Sequence, residues 1–141
     1  MQVQEAGGTE VRKGVHVSAL EQHELPGSKG TANFILKFDK GSKSTASISI
    51  VDSKDLKGVL RGLTAEDADA GKFVPVAALE CRGLEPIGYT PESDWMVEAA
   101  NSQTKWDDVD LSEGEWTEYD EKAGEGVGVY KIRSDFKVHR P

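Results

Sequence analysis

The stretch Val76-Ala77-Ala78-Leu79-Glu80-Cys81-Arg82-Gly83-Leu84-Glu85-Pro86-Ile87-Gly88-Tyr89-Thr90-Pro91 decides how the chain is read. The apolar run from Phe73 to Glu80 predicts a strand. Successive strand residues point to opposite faces. With Leu79 and Cys81 facing a core, Arg82 faces water and cannot activate the neighbouring sulfur. Cys81 is the only cysteine of the chain, so it has no intrachain disulfide partner. The expected role is a small buried side chain, and the competing role is the nucleophile of a thiol enzyme.

Working outward, the chain divides into three zones within one expected domain, 1–141. Residues 1–51 read as β-hairpins. Val15, Val17 and Ala19 alternate with His16 and Ser18, the period of a half-buried strand. Leu25-Pro26-Gly27-Ser28-Lys29-Gly30 is a dense turn signal. Phe34, Leu36 and Phe38 share one strand face, a second polar turn follows at 39–44, and Ile48 and Ile50 share the face of the next strand. Residues 52–72 form a connector in which Leu56, Val59, Leu60 and Leu63 have helical spacing, weakened by Gly58 and Gly62. Its acidic end, Thr64 to Gly71, reads as an exposed loop. Residues 73–141 form a second β zone. Tyr130, Ile132, Phe136 and Val138 alternate with Lys131, Arg133, Asp135 and Lys137, which predicts a strand with one wet face.

Charge narrows the classes of function. The 141 residues carry a net charge of −8, with 37% hydrophobic and 30% charged residues. A general nucleic-acid binder needs a basic footprint, so no nucleic-acid partner is expected. No apolar run is long enough to span a bilayer. The first residues lack a basic segment followed by an apolar one, no Asn-x-Ser/Thr sequon occurs, and cysteine is nearly absent, so the cytosol or nucleus is the expected location. Most of the negative charge lies between Glu92 and Glu125, where twelve acidic residues face only Lys105 and Lys122.

Residue patterns for chemistry are sparse. A structural zinc site takes four thiolate or imidazole ligands, usually as two close pairs. Cys81, His16, His23 and His139 form no close pair. Asp107, Asp108 and Asp110 are close together but lack the spaced ligands and central glycine of a calcium loop. The glycines of Gly124-Glu125-Gly126-Val127-Gly128 precede a strand, whereas a phosphate loop follows a strand and opens a helix. Trp95, Trp106 and Trp116 suit either a stacking surface or sheet-covering packing. No catalytic constellation stands out, so no enzymatic activity and no cofactor are expected.

Three segments carry a family signature: Glu80-Cys81-Arg82-Gly83-Leu84-Glu85-Pro86, Trp116-Thr117-Glu118-Tyr119-Asp120-Glu121-Lys122-Ala123, and Pro26-Gly27-Ser28-Lys29-Gly30-Thr31-Ala32-Asn33-Phe34. With them the chain resembles a eukaryotic family of zinc-binding proteins with two Cys-x-x-Cys pairs, from about Gln2 to about Val138. The resemblance implies a mainly β protein, with antiparallel sheets in two related halves forming a compact sandwich-like or barrel-like domain and at most short helices. It places the zinc site in the first half and implies one early strand absent from this chain. By alignment the four ligand positions fall at Glu5, Gly8, Phe38 and Gly41, and none holds a cysteine. The expectation is a zinc-free member in which apolar packing, with Phe38 now available for burial, replaces the metal. The expected function is a protein-interaction module or a subunit of a larger assembly. Its surface for a basic protein partner would include Trp106, Asp107, Asp108, Asp110 and Trp116. The alternative is metal handling through non-cysteine ligands such as His16 or His23.

Overall fold

The computed structural model describes residues 1–27, 29–39, 45–52, 54, 56 and 58–139. In chain order the elements are β1 (Gln2–Glu5), β2 (Val11–Arg12), β3 (His23–Glu24), β4 (Thr31–Ala32), β5 (Phe34–Leu36), β6 (Ala46–Ile50), α1 (Ala65–Asp69), β7 (Leu79–Arg82), β8 (Leu84–Gly88), β9 (Trp95–Glu98), β10 (Lys105–Val109), β11 (Trp116–Asp120) and β12 (Glu125–Val129). The protein is mainly β. Its strands pair antiparallel, and among the described residues no sheet closes into a barrel.

The chain forms two units, Met1–Gly88 with Phe136–Pro141, and Tyr89–Asp135. The first holds two three-stranded sheets, β2-β1-β8 and β5-β6-β7, and the hairpin β3-β4. Its core is Val3 from β1, Val15, Ala46 and Ile48 from β6, and Leu84 from β8, with Phe34, Leu36, Phe38, Leu79 and Cys81 packed against them. Val3 and Ile48 are 0% exposed, and a fully buried side chain of this kind contributes about 1.5–3 kcal/mol. Gly83 makes the corner from β7 to β8, where the chain leaves one sheet and enters the other. Its φ is +72°, and a Cβ there would lie 3.3 Å from Ala46 Cα. A left-handed turn pressed against a neighbouring backbone suits glycine alone. The inward alternation of Leu79 and Cys81, with Arg82 outward, is as the sequence predicts.

The second unit consists of the hairpins β9-β10 and β11-β12. In β10 the register moves from Trp106 opposite Val97 to Val109 opposite Trp95. Three steps on one strand against two on the other make a β-bulge. Asp108 takes up the extra residue with φ 53°, a conformation that aspartate tolerates better than most side chains.

Several elements differ from the sequence reading. Thr64 to Gly71 holds helix α1 rather than a loop. Thr64 caps it by accepting from Asp67 N, while Asp67 accepts from Thr64 N and pairs with Arg61 at 2.6 Å. This reciprocal capping box satisfies orphan donors of the first turn without any apolar face. Phe73 to Ala78 forms no strand: Pro75 has no N–H to donate to a ladder, and Phe73 and Val76 are exposed. Val15 is buried and bonded to Met1 in both directions, but residues 13–20 extend no ladder beyond that pair. The alternating segment 130–138 is not a strand. Lys131 at φ 52° breaks the extended run just after β12, and Val138 is 82% exposed. The turn expected at 39–44 lies, beyond Asp39, outside the described residues.

Candidate functional site

Two regions answer to the expected sites, the ligand positions in the first unit and the acidic, tryptophan-bearing segment in the second. At the first, Glu5 ends β1 opposite Leu84. Gly8 sits in the turn to β2 with its N–H donating to Glu5 O at 3.1 Å. Phe38 is half-buried against the core, and Gly41 lies outside the described residues. Arg12 of β2 reaches Phe38, its Nη2 donating to Phe38 O at 3.1 Å. Its guanidinium carbon stands 5.7 Å from the centre of the Phe38 ring, within range of a cation–π contact. Glu10 holds the same guanidinium at 2.6 Å.

These residues do not fit zinc. A carboxylate, a glycine and a phenyl ring cannot supply tetrahedral nitrogen and sulfur ligands, and the chain's single cysteine argues against a cysteine zinc site. Among the described residues no three His, Cys, Asp or Glu side chains converge on a point that could hold a metal. His23 instead lies 3.6 Å from Glu21.

Cys81 is half-buried in β7 opposite Ile48. Burial, and secondarily the negative charge of Glu80, push its thiol pKa up. Both effects disfavour the thiolate, the reactive form of cysteine.

In the second unit, β10 carries Trp106, Asp107 and Asp108, and β11 opens with Trp116. The structure brings the two indoles together at 5.4 Å between ring centres and 67° between planes, the edge-to-face arrangement that aromatic quadrupoles favour. Beside Trp116 opens a shallow cleft of about 360 Å³, lined by Asp110, Glu113, Glu115, Trp116 and Thr117. Asp110 is turned toward its own backbone: it accepts from Ser112 N at 2.8 Å, which lowers its pKa. Asp107 and Asp108 are exposed on the bulged strand but do not line the cleft. Trp95 pairs across the sheet with Val109 instead.

The sequence reading therefore named Trp106, Asp110 and Trp116 but missed Glu113, Glu115 and Thr117. Their only advance signal was the acidic run around a glycine, Asp110 to Trp116, which marks a turn and not a concavity. The sequence reading also missed Asp120. It is 1% exposed and its carboxylate accepts from Ser102 Oγ, from Thr104 Oγ1 at 3.0 Å, and from Lys122 N and Ala123 N at 3.1 and 3.3 Å. Those bonds, led by Ser102, hold its carboxyl below the ordinary range. Asp120 thereby ties the β9-β10 turn to the β11-β12 turn and supports the strand on which Trp116 sits.

Comparison with known proteins bears on both regions. The profile of the family described as "CXXC motif containing zinc binding protein, eukaryotic" matches residues 1–137. A Bos taurus protein named "CXXC motif containing zinc binding protein" is 34% identical over 121 residues, which cover 86% of this chain and 71% of the relative. Among solved structures, that of C1orf123 is similar with a TM-score of 0.75 and 31% identity, over 92% of this chain and 77% of the other. A hypothetical protein from Plasmodium falciparum is similar with a TM-score of 0.78 and 25% identity, over 92% and 78%.

Proposed function

This chain belongs to the eukaryotic family of CXXC motif containing zinc binding proteins, and from that premise we propose that it is a zinc-free member serving as a non-enzymatic interaction module. Its partner is a basic protein segment, met in the cytosol or nucleus, which docks on the acidic, tryptophan-bearing face of the second unit. The observation that carries this reading is the Trp106–Trp116 pair standing beside a cleft walled by Asp110, Glu113 and Glu115. An aromatic surface gives a lysine or arginine side chain apolar and cation–π contact, and the carboxylates draw it in. Charge complementarity of this kind acts mainly on association rate and specificity.

The zinc-free part of the reading is supported by the single cysteine of the chain and by Phe38, at one aligned ligand position, being in contact with Arg12. The raised thiol pKa of Cys81 supports the non-enzymatic part. The test is affinity capture from a cell extract with the wild-type chain and with the triple variant Asp107→Lys, Asp108→Lys, Asp110→Lys. Loss of basic partners in the variant, with folding unchanged by circular dichroism, is the expected result. The same partners at the same strength would end the acidic-face reading.

A further inference from the structure

We propose that the partner docks by strand addition, an extended basic segment pairing with the outer edge of β12. The inference rests on the partner being basic and names how its backbone is held. Among the described residues β12 pairs with β11 alone, over Glu125 to Val129. Its other side therefore presents backbone N–H and C=O groups that no strand takes up. Edge strands ordinarily carry a charge, a proline or a bulge against such pairing. Of the five-residue edge strands, β8 contains Pro86, β10 a bulge beside Asp107, and β11 Glu118 at its middle. β12 starts with Glu125 and continues as Gly126-Val127-Gly128-Val129, with none of the three devices.

Register and charge specify what fits. Glu125, Val127 and Val129 lie on one face of the strand, Gly126 and Gly128 on the other. Glu118 stands opposite Val127 and Trp116 opposite Val129, so the first face mixes apolar side chains with carboxylates. On the second face, a Cβ at Gly126 would meet nothing within 4 Å, which leaves room for a branched side chain across the strand. The hairpin from Glu115 to Val129 carries Glu115, Glu118, Asp120, Glu121 and Glu125 against Lys122 alone. Glu118, Glu121 and Glu125 are exposed. A second copy of this chain would bring the same charge to the same edge and be repelled. A segment with lysine or arginine flanking β-branched residues is drawn in. Main-chain bonds then supply affinity, and alternate side chains supply specificity.

The test is an NMR titration of the full ¹⁵N-labelled chain with the peptide acetyl-Lys-Val-Thr-Val-Thr-Lys-amide. Two control peptides accompany it. One has the central Thr-Val replaced by Pro-Pro, which keeps the charge but cannot continue a ladder. The other has both lysines replaced by glutamine. The basic peptide is expected to give saturable shifts and slowed exchange of the Gly126 to Val129 amides, with nuclear Overhauser contacts from its backbone to β12. The proline peptide gives no protection of β12, and the glutamine peptide binds about fivefold more weakly. Equal shifts from the basic and proline peptides, with β12 exchange unchanged, would overturn strand addition and leave the acidic-face reading standing. Equal protection of β12 by the glutamine peptide would overturn the basic character of the partner, and with it the occupant proposed here. No binding of the basic peptide would overturn the proposal.

Discussion

The two units solve one problem, holding short hairpins in place, by opposite means. In the first, two sheets share an apolar core around Val3 and Ile48, and Arg12 reaches across to Phe38 at its edge. In the second, the buried apolar side chains are Ala99, Val109 and Leu111, a small set, and the most buried large group is the carboxylate of Asp120. It gathers four donors from two turns, and Asn101 adds a bond to Glu125 at 3.1 Å. The difference teaches that short hairpins can be held by an apolar core or by a single buried carboxylate. The first unit rests on packing around its core, whereas the second depends on a polar staple that few apolar contacts could replace.

The largest effect expected from breaking this contrast is on the apolar side. Ile48→Ala removes the largest fully buried side chain of the first unit and should cost about 4 kcal/mol, a fall of roughly 15 °C in melting temperature. Differential scanning calorimetry checks it, and a loss below a third of that would show the core to be less central. Next comes the polar staple. Asp120→Ala leaves Ser102, Thr104 and two backbone N–H groups without their acceptor, and should lower the melting temperature by roughly 10 °C.

The same carboxylate sets a pH dependence. Its folded pKa lies below the unfolded value of about 3.9. Its stabilisation is therefore complete above about pH 4 and is lost as the pH falls through the folded pKa. Amides of the β9-β10 and β11-β12 turns should lose exchange protection in that acid window, and the Asp120→Asn variant should not show the step. The smallest effect belongs to the half-exposed clamp. Arg12→Ala should cost about 1 kcal/mol by chemical denaturation, since a partly exposed cation–π contact and its ion pair are each weak.

How legible all this was in the sequence depended on whether the signal was local. Phe34, Leu36 and Phe38 reached the core as their alternation implied. Pro26-Gly27 and Gly30 marked the turn that β3 and β4 close, with Leu25 N bonded to Gly30 O at 3.0 Å. Helix α1 was missed because it rests on capping by Thr64, Asp67 and Arg61 and has no apolar stripe to count. Residues 130–138 misled for the converse reason: their alternation was strong, but Lys131 leaves the extended region and Tyr130 folds back onto Gly128. In the candidate site, the pairing of Trp106 with Trp116 and the reach of Arg12 to Phe38 join residues distant in sequence. Nothing in either stretch alone specifies its partner, so composition could name some of these residues but not their contacts.

The central claim, that apolar packing and the Arg12–Phe38 contact stand where the family's zinc site would be, is tested most directly by metal content. The purified chain is incubated with excess zinc, dialysed, and analysed by elemental mass spectrometry. Zinc well below one ion per chain, in the wild type and in Arg12→Ala alike, is the expected result. Zinc near one ion per chain that survives dialysis would contradict it.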